Sequence, residues 1–231
     1  MLGYYTSIVV LIPAMILTVI AQAKTRKAFD HYSHVRNSKG ITGAQAAQTV
    51  LSSNGLNNVA VKMLNGSALD NYYDPRDNTV NLSPEVYSDD SVASMCIACH
   101  EVGHAIQHAN GYLPVKIRNA IVPIVTLTSN IAWPLIIIGL MLSYTNAYGT
   151  LLFNIGTWCF VAVVLFHLIT LPVETNASRR AIKQMQLADI VDSRDLSGSK
   201  KVLKAAEMTY VAALAVAVSS LIRVLLLRGR N

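Results

Sequence analysis

The chain has 231 residues, of which 52% are hydrophobic and only 14% are charged, and its formal net charge is +6. A mean hydropathy of +0.39 excludes an ordinary soluble domain. The apolar residues gather in long runs, which predicts a multi-span α-helical membrane protein. Membrane orientation and anionic headgroups account for the basic excess, so no nucleic-acid partner is expected.

Apolar runs recur along the chain, each about as long as the 20 residues that a helix needs to cross a hydrocarbon core. They predict membrane-spanning segments at Tyr4 to Ala21, Ile121 to Leu142, Leu151 to Leu171 and Ala205 to Leu227. Basic residues follow the first run rather than precede it, so we interpret it as a retained anchor and not a signal peptide. The fourth run contains Glu207 and Arg223 and either crosses the bilayer or lies at its interface.

The positions of lysine and arginine predict sidedness. They cluster after the first and third runs, whereas the turn from Ser143 to Thr150 carries no charge. We therefore expect a first transmembrane helix at 1–23, a cytoplasmic domain at 24–120, a transmembrane hairpin at 121–171, a cytoplasmic helix at 172–204, and a fourth transmembrane or interfacial helix with the tail at 205–231.

The cytoplasmic segment has the pattern of a small α+β domain. A helix is predicted from Thr42 to Asn54, and strands are predicted from Val59 to Leu64 and from Thr79 to Leu82. A further helix should start at Ser83-Pro84. The last helix of this segment is expected at 90–109, with Asp90 or Ser91 as N-cap and a stop at Gly111.

That last helix carries the sequence His100-Glu101-Val102-Gly103-His104. Two imidazoles four residues apart lie on the same face of a helix, about one turn from each other. This is how a helix binds a zinc ion, and a carboxylate beside the first ligand can act as general base. The motif therefore predicts a catalytic zinc site with Glu101 as the catalytic residue.

A catalytic zinc needs a third protein ligand and an open position for water. A metzincin histidine is excluded, because Asn110 stands where that pattern requires it. The transmembrane hairpin returns the chain to the inner side just before Glu174, and Pro172 is expected to start a new helix with Glu174 in its first turn. Glu174 is therefore the preferred ligand. The competing inner carboxylates are Glu85, Asp89, Asp90, Asp189 and Asp192.

The same region allows other functions. Cys96-Ile97-Ala98-Cys99-His100 matches the signature of covalent haem attachment, so a membrane-anchored c-type haem or redox protein is an alternative. Against it, His100 would have to leave the zinc motif, and the expected cytoplasmic side is not where such haem is attached. A metal-binding but inactive scaffold is a further alternative, although it would not need Glu101.

Several segments resemble the YugP-type family of membrane neutral zinc metallopeptidases: His100 to Gln107, Pro172 to Ala181, Ile41 to Gly43, Tyr73 to Arg76 and Val80 to Ser83. The chain is more distantly similar to HtpX-type membrane metalloproteases, with their Glu-x-x-Ala-Asp pattern beyond a transmembrane hairpin. Glu174 to Ser178 fits that pattern except at its last position. Tyr72 and Asn176 replace a histidine and an aspartate that we expect in the family.

This resemblance implies that His100, His104 and Glu174 hold Zn²⁺ and that Glu101 is catalytic. The fold it implies is a small zincin-like, gluzincin-type domain joined to membrane-spanning helices. The implied activity is that of a zinc metalloendopeptidase, a hydrolase in which Glu101 assists the attack of zinc-bound water on peptide bonds. We expect a bacterial inner-membrane, multi-pass protein with its active site facing the cytoplasm.

Residues around the site are candidates for supporting roles. For oxyanion stabilisation or support of the ligands, the candidates are His108, Arg179, Arg180, Tyr72, Tyr73 and Asn176. An extended substrate is expected to add to an exposed strand edge at Val80, Asn81 and Leu82. The expected partners are a protein or peptide substrate, membrane or membrane-associated, and the lipid bilayer. A homo-oligomer or a membrane partner protein is left open.

Overall fold

The protein is mostly helical, with a small sheet near the first third of the chain. The structure is a computed structural model that describes residues 9–65, 70–143 and 147–228. Its elements in chain order are α1 (Ile12–Ser33), α2 (Gly43–Ser53), β1 (Ala60–Met63), β2 (Tyr72–Asp74), β3 (Thr79–Leu82), α3 (Pro84–Ser88), α4 (Val92–Ala109), α5 (Leu113–Ser143), α6 (Ala147–Leu187) and α7 (Ser193–Arg228).

Polar caps set the ends of the short helices. Thr42 caps α2 through a reciprocal pair of hydrogen bonds, the capping box. Ser91, rather than Asp90, caps α4, and its Oγ accepts a hydrogen bond from the Ser94 N–H at 3.1 Å. Gly111 follows the end of α4 with φ of +63°, a conformation that favours glycine. These ends lie within two residues of the predicted ones.

The sheet has the order β1-β3-β2, so β3 is its central strand. β1 runs parallel to β3, with Val61 opposite Val80, and β2 runs antiparallel to it, with Tyr73 opposite Val80. Every residue of β3 is buried. The expectation of a substrate edge at Val80, Asn81 and Leu82 is therefore wrong, because both edges of this strand are already paired.

Two compact units divide the chain. The mixed unit comprises Gln22–Val115 and Val173–Met208 and contains the sheet. α4 is its central helix: 13 of its 18 residues are buried, and it packs against α2, α3, β2 and β3. Leu51, Leu82 and Met95 are among the largest fully buried side chains of this unit. Burying each such side chain contributes roughly 1.5–3 kcal/mol to folding.

α6 corrects an expectation about Pro172. The helix runs without interruption from Ala147 to Leu187, and Pro172 lies inside it. Glu174 is therefore in a helix interior and not in a first turn. A proline removes one backbone donor, and membrane-spanning helices tolerate that loss where neighbouring helices, side chains or local adjustments of the helix satisfy the freed carbonyl groups.

The segment 172–204, expected as one helix, is divided between α6 and α7. Asp189 follows α6 with φ of +53°, a left-handed conformation that ends helices. Asp192 then starts α7, because its side chain accepts a hydrogen bond from the Asp195 N–H at 2.7 Å. The resulting turn allows α6 and α7 to pack against each other in the mixed unit.

The helical unit comprises the described parts of Met1–Ala21, Lys116–Pro172 and Thr209–Asn231. Among the described residues, three helices are long and apolar enough to cross a membrane, within Leu113–Leu142, Ala147–Leu187 and Ser193–Leu227. Many of their large apolar side chains are exposed, among them Leu127, Met141 and Trp158. The first predicted span, Tyr4 to Ala21, lies partly outside the described residues, as does the predicted turn from Ser143 to Thr150.

Candidate metal centre

The imidazoles of His100 and His104 lie on one face of α4, as their spacing predicts. Their ring centroids are 4.8 Å apart. From α6, the Glu174 carboxylate reaches both rings: its Oε2 is 3.3 Å from His100 Nε2 and 3.4 Å from His104 Nε2. Glu174 is only 5% exposed. The fold therefore brings Glu174 to two histidines that lie 70 or more residues before it in the sequence.

The donor atoms of these three residues fit a metal ion. They all lie within 4.8 Å of one another, and the residues form the one such group among those the structure describes. Ligand atoms bound to zinc at about 2.0–2.1 Å in a tetrahedral arrangement lie roughly 3.4 Å apart. Two imidazole nitrogens and a carboxylate oxygen are a donor set of catalytic zinc sites. Both the spacing and the chemistry therefore suit zinc.

A close contact between α4 and α6 positions Glu174. A Cβ atom added to Gly103 would lie 2.5 Å from the carbonyl oxygen of Ala177, which is closer than real Cβ atoms approach backbone. Only glycine allows this approach. Because Glu174 lies one turn before Ala177 on α6, the same contact brings its carboxylate towards His104.

Gln107 orients His104. Gln107 is fully buried, and its Nε2 donates hydrogen bonds to Val173 O at 2.7 Å and Asn176 Oδ1 at 3.0 Å. Its Oε1 must then accept from His104 Nδ1, 3.0 Å away. This assignment places the proton of His104 on Nδ1 and leaves the Nε2 lone pair towards Glu174 and the metal position.

Ser178 has the corresponding place beside His100. Its Oγ lies 3.1 Å from His100 Nδ1, on the side of the ring away from Glu174. The HtpX-type pattern has aspartate at this position, so this chain uses a neutral hydroxyl instead. Sequence reasoning missed the roles of Gln107 and Ser178. Their spacings, three residues after His104 and four after Glu174, were the available signal.

Glu101, on α4 between the two histidines, is 8% exposed. Its Oε2 accepts a hydrogen bond from the backbone N–H of Tyr73 at 3.1 Å. This bond joins the predicted catalytic carboxylate to β2, an edge strand of the sheet. The structure thus gives the Glu101 carboxylate a backbone partner on β2, and its role in catalysis stays a prediction.

Of the two candidate tyrosines, Tyr73 is held by hydrogen bonds near α4 and Tyr72 is more exposed. Tyr73 Oη donates to Asn78 Oδ1 at 2.7 Å and lies 3.1 Å from His108 Nδ1. Burial raises the pKa of the Tyr73 phenol, so it remains a donor at neutral pH. Tyr72 is 46% exposed, with no contact to the three ligands among the interactions that the structure describes.

Arg180 and Arg179 are neighbours with different surroundings. Arg180 Nε donates to Asn176 Oδ1 at 2.7 Å, and its guanidinium lies 5.9 Å from the ring centre of Tyr112. Asn176 therefore links Arg180 to Gln107, which contacts His104. Arg179 lines a separate cleft between α6 and α7.

Cys96 and Cys99 are fully buried in the core of the mixed unit. Burial raises the pKa of the Cys96 thiol to about 12 and that of the Cys99 thiol still further. Both therefore remain protonated and unreactive at neutral pH. They pack as small apolar side chains on the flank of α4, an arrangement that does not support the haem or redox alternative.

Comparison with known proteins identifies the class. A family model described as "Putative neutral zinc metallopeptidase" matches residues 7–229, and the chain belongs to that family. The chain is 40% identical over 222 residues to the "Putative membrane protease YugP" of Bacillus subtilis (strain 168), which covers 95% of this chain and 96% of that protein. The family predicted from the sequence is thereby confirmed. No solved structure matches the chain.

Proposed function

We propose that this protein is a zinc-dependent metalloendopeptidase of the bacterial cell membrane that cleaves membrane or membrane-associated proteins. The observation that carries the proposal is the approach of Glu174 Oε2 to His100 Nε2 and His104 Nε2 at 3.3 and 3.4 Å. Membership of a zinc metallopeptidase family supports it. The mixed unit is then a zincin-like domain of the gluzincin type, in which a later helix supplies the third ligand.

In this proposal His100, His104 and Glu174 hold the ion. A bound zinc ion lowers the pKa of water and polarises a scissile carbonyl as a Lewis acid. Glu101 takes a proton from the attacking water on a carboxylate oxygen and gives it to the leaving amine. Gln107 and Ser178 keep the two imidazoles oriented, so the ligands need little rearrangement when the ion binds.

An extended substrate can pair only with an outer strand of the sheet. β2 is the outer strand that contacts α4, and its Tyr73 N–H already bonds to Glu101. We propose that substrate lies along β2, because this places its backbone beside the catalytic carboxylate.

The proposed orientation places the mixed unit in the cytoplasm. Lysines and arginines are concentrated in the sequence just after the first apolar run and just after the third, which favours the cytoplasmic side for these segments. The fully buried Cys96 and Cys99 need no oxidising compartment. Labelling of single cysteines introduced at exposed positions of this unit, in intact cells and in inverted vesicles, tests the assignment.

The activity is tested with Glu101→Gln, an isosteric change that removes the proton-accepting carboxylate. The full chain is purified in detergent, its zinc content is measured, and cleavage of a fluorescent casein is followed. We expect the variant to keep its zinc and to lose about 10²–10⁴-fold in rate. The matched control is Glu85→Gln, an exposed glutamate on α3.

Each alternative has its own result in this assay. Equal cleavage by wild type and Glu101→Gln would contradict the mechanism. A wild-type protein that binds zinc and cleaves nothing would favour the inactive scaffold. A visible haem band that survives denaturation would favour the redox alternative.

A further inference from the structure

A cleft of about 390 Å³ lies between α6 and α7 in the mixed unit. Four cationic side chains line it: Arg179 and Lys183 from α6, and Lys200 and Lys204 from α7. The members of each pair are four residues apart, so each pair lies on one helix face. The two basic faces meet across the same cavity.

These four cations have few acidic neighbours in the part of the chain that the structure describes. Across residues 9–65, 70–143 and 147–228, the structure shows no carboxylate in an ion pair with any of them. Glu207, the one acidic side chain among the described residues that line the cleft, accepts a hydrogen bond from Thr175. Like charges at this spacing repel one another, so an anion in the cleft would relieve the repulsion.

The floor of the cleft is apolar. Ile182 and Leu203 belong to its lining, and Leu203 is only 5% exposed. A cavity with cations at its rim and aliphatic side chains below suits a ligand that has an anionic group attached to an apolar body. A small inorganic anion would use only the rim.

The position of the cleft along both helices favours a lipid. Lys204 directly precedes the apolar run from Ala205 to Leu227, and Arg179 follows the run ending at Leu171 by eight residues, a rise of about 12 Å. Basic side chains at the ends of apolar helices lie at the depth of lipid headgroups. We propose that this cleft binds the phosphate group of an anionic phospholipid headgroup.

The test measures lipid binding by the full chain and does not depend on proteolysis. Delipidated protein in a neutral detergent is titrated with fluorescent phosphatidylglycerol. The variant Lys200→Gln/Lys204→Gln removes two charges of the cleft. The matched control Lys27→Gln/Lys201→Gln removes two exposed lysines of the same unit that do not line it. Lys201 is the immediate neighbour of Lys200, which makes the comparison sharp.

We expect the cleft variant to bind phosphatidylglycerol roughly 25-fold more weakly, because each of the two basic residues removed contributes a factor of about five to binding an anionic lipid. The control should bind like wild type. Equal binding by the two double variants would overturn the proposal. Lys200→Arg/Lys204→Arg should restore binding, and failure of this charge-keeping variant to do so would also count against it.

A competition arm separates the two sources of phosphate. Inorganic phosphate and glycerol phosphate are added to the complex with labelled lipid, and neither should displace it at concentrations comparable to the lipid. A soluble phosphate that binds as tightly, and that depends equally on Lys200 and Lys204, would overturn the assignment to a lipid. Zinc content measured in parallel shows whether the metal centre is intact, so failure of this proposal is distinguishable from failure of the proposed protease.

Discussion

The mixed unit and the helical unit use apolar side chains in opposite ways. In the mixed unit Leu51 is fully buried and the central helix α4 is covered almost all round. In the helical unit Leu127 is 61% exposed, and Met141 and Trp158 are each 71% exposed. Water expels apolar side chains into a core, whereas a bilayer accepts them at the surface of a helix. The metal centre lies in the unit that packs as a water-soluble domain does.

The largest difference is expected between Leu51→Ala and Leu127→Ala. Removal of the Leu51 side chain leaves a cavity in a closed core and should lower the free energy of unfolding by about 2–5 kcal/mol. Leu127→Ala removes a side chain from an exposed surface and should change it by less than about 0.5 kcal/mol. Chemical denaturation of the full chain in detergent measures both. Equal losses of unfolding free energy in the two variants would contradict the proposed difference between the units.

The next largest effect is expected for Gly103→Ala at the contact between α4 and α6. A Cβ atom there would lie 2.5 Å from Ala177 O, so the helices must separate, at a cost of about 1–3 kcal/mol in unfolding free energy. Without that contact, alanine would stabilise a helix interior by up to about 1 kcal/mol. The sign of the change in unfolding free energy therefore shows whether the close contact exists. Thermal unfolding measures this change, and a zinc titration shows whether the metal centre is affected.

A smaller effect is expected for Gln107→Leu, which removes the acceptor for His104 and the donor to Val173 O. Loss of a group that orients a ligand lowers metal affinity about 10–100-fold. Gln107→Glu keeps an acceptor for His104 and should lose less. The control Gln48→Leu lies on the exposed face of α2. Zinc competition with a chelating dye measures all three, and an unchanged affinity in Gln107→Leu would show that His104 is held by other contacts.

The parts of the structure that local chemistry determines could be predicted from the sequence. The limits of α2 and α4 follow from Thr42, Ser91 and Gly111, because caps and glycine stops act within a few residues. The pairing of His100 with His104 follows from helix periodicity alone. These features need no knowledge of the rest of the chain.

Other features depend on contacts between distant residues. The central position of β3 is set by pairing with two strands, and its sequence does not distinguish a middle from an outer strand. α6 continues through Pro172 against the local tendency of proline to end a helix, and such continuity depends on other parts of the structure that satisfy the freed carbonyl groups. The role of Gln107 depends on its hydrogen bonds to Val173 and Asn176, which are more than 60 residues away in the sequence.

Glu174 combines a feature that the sequence predicts with one that depends on distant contacts. The sequence indicated it as a ligand because a transmembrane hairpin, expected at 121–171, would return the chain to the side of His100 and His104. Its expected place in the first turn of a new helix was wrong, since α6 is continuous. The close contact at Gly103 brings the carboxylate to the histidines, and nothing in the local sequence of Glu174 encodes that contact.

The most direct test of the metal centre is the zinc affinity of the full chain with Glu174→Ala, compared with Glu85→Ala as a matched control. Glu174→Ala should weaken zinc binding by more than the roughly 100-fold expected from loss of an orienting group, because it removes a ligand. Glu85→Ala should bind zinc like the wild type. Wild-type affinity in Glu174→Ala would contradict the assignment of this carboxylate, together with His100 and His104, to one metal ion.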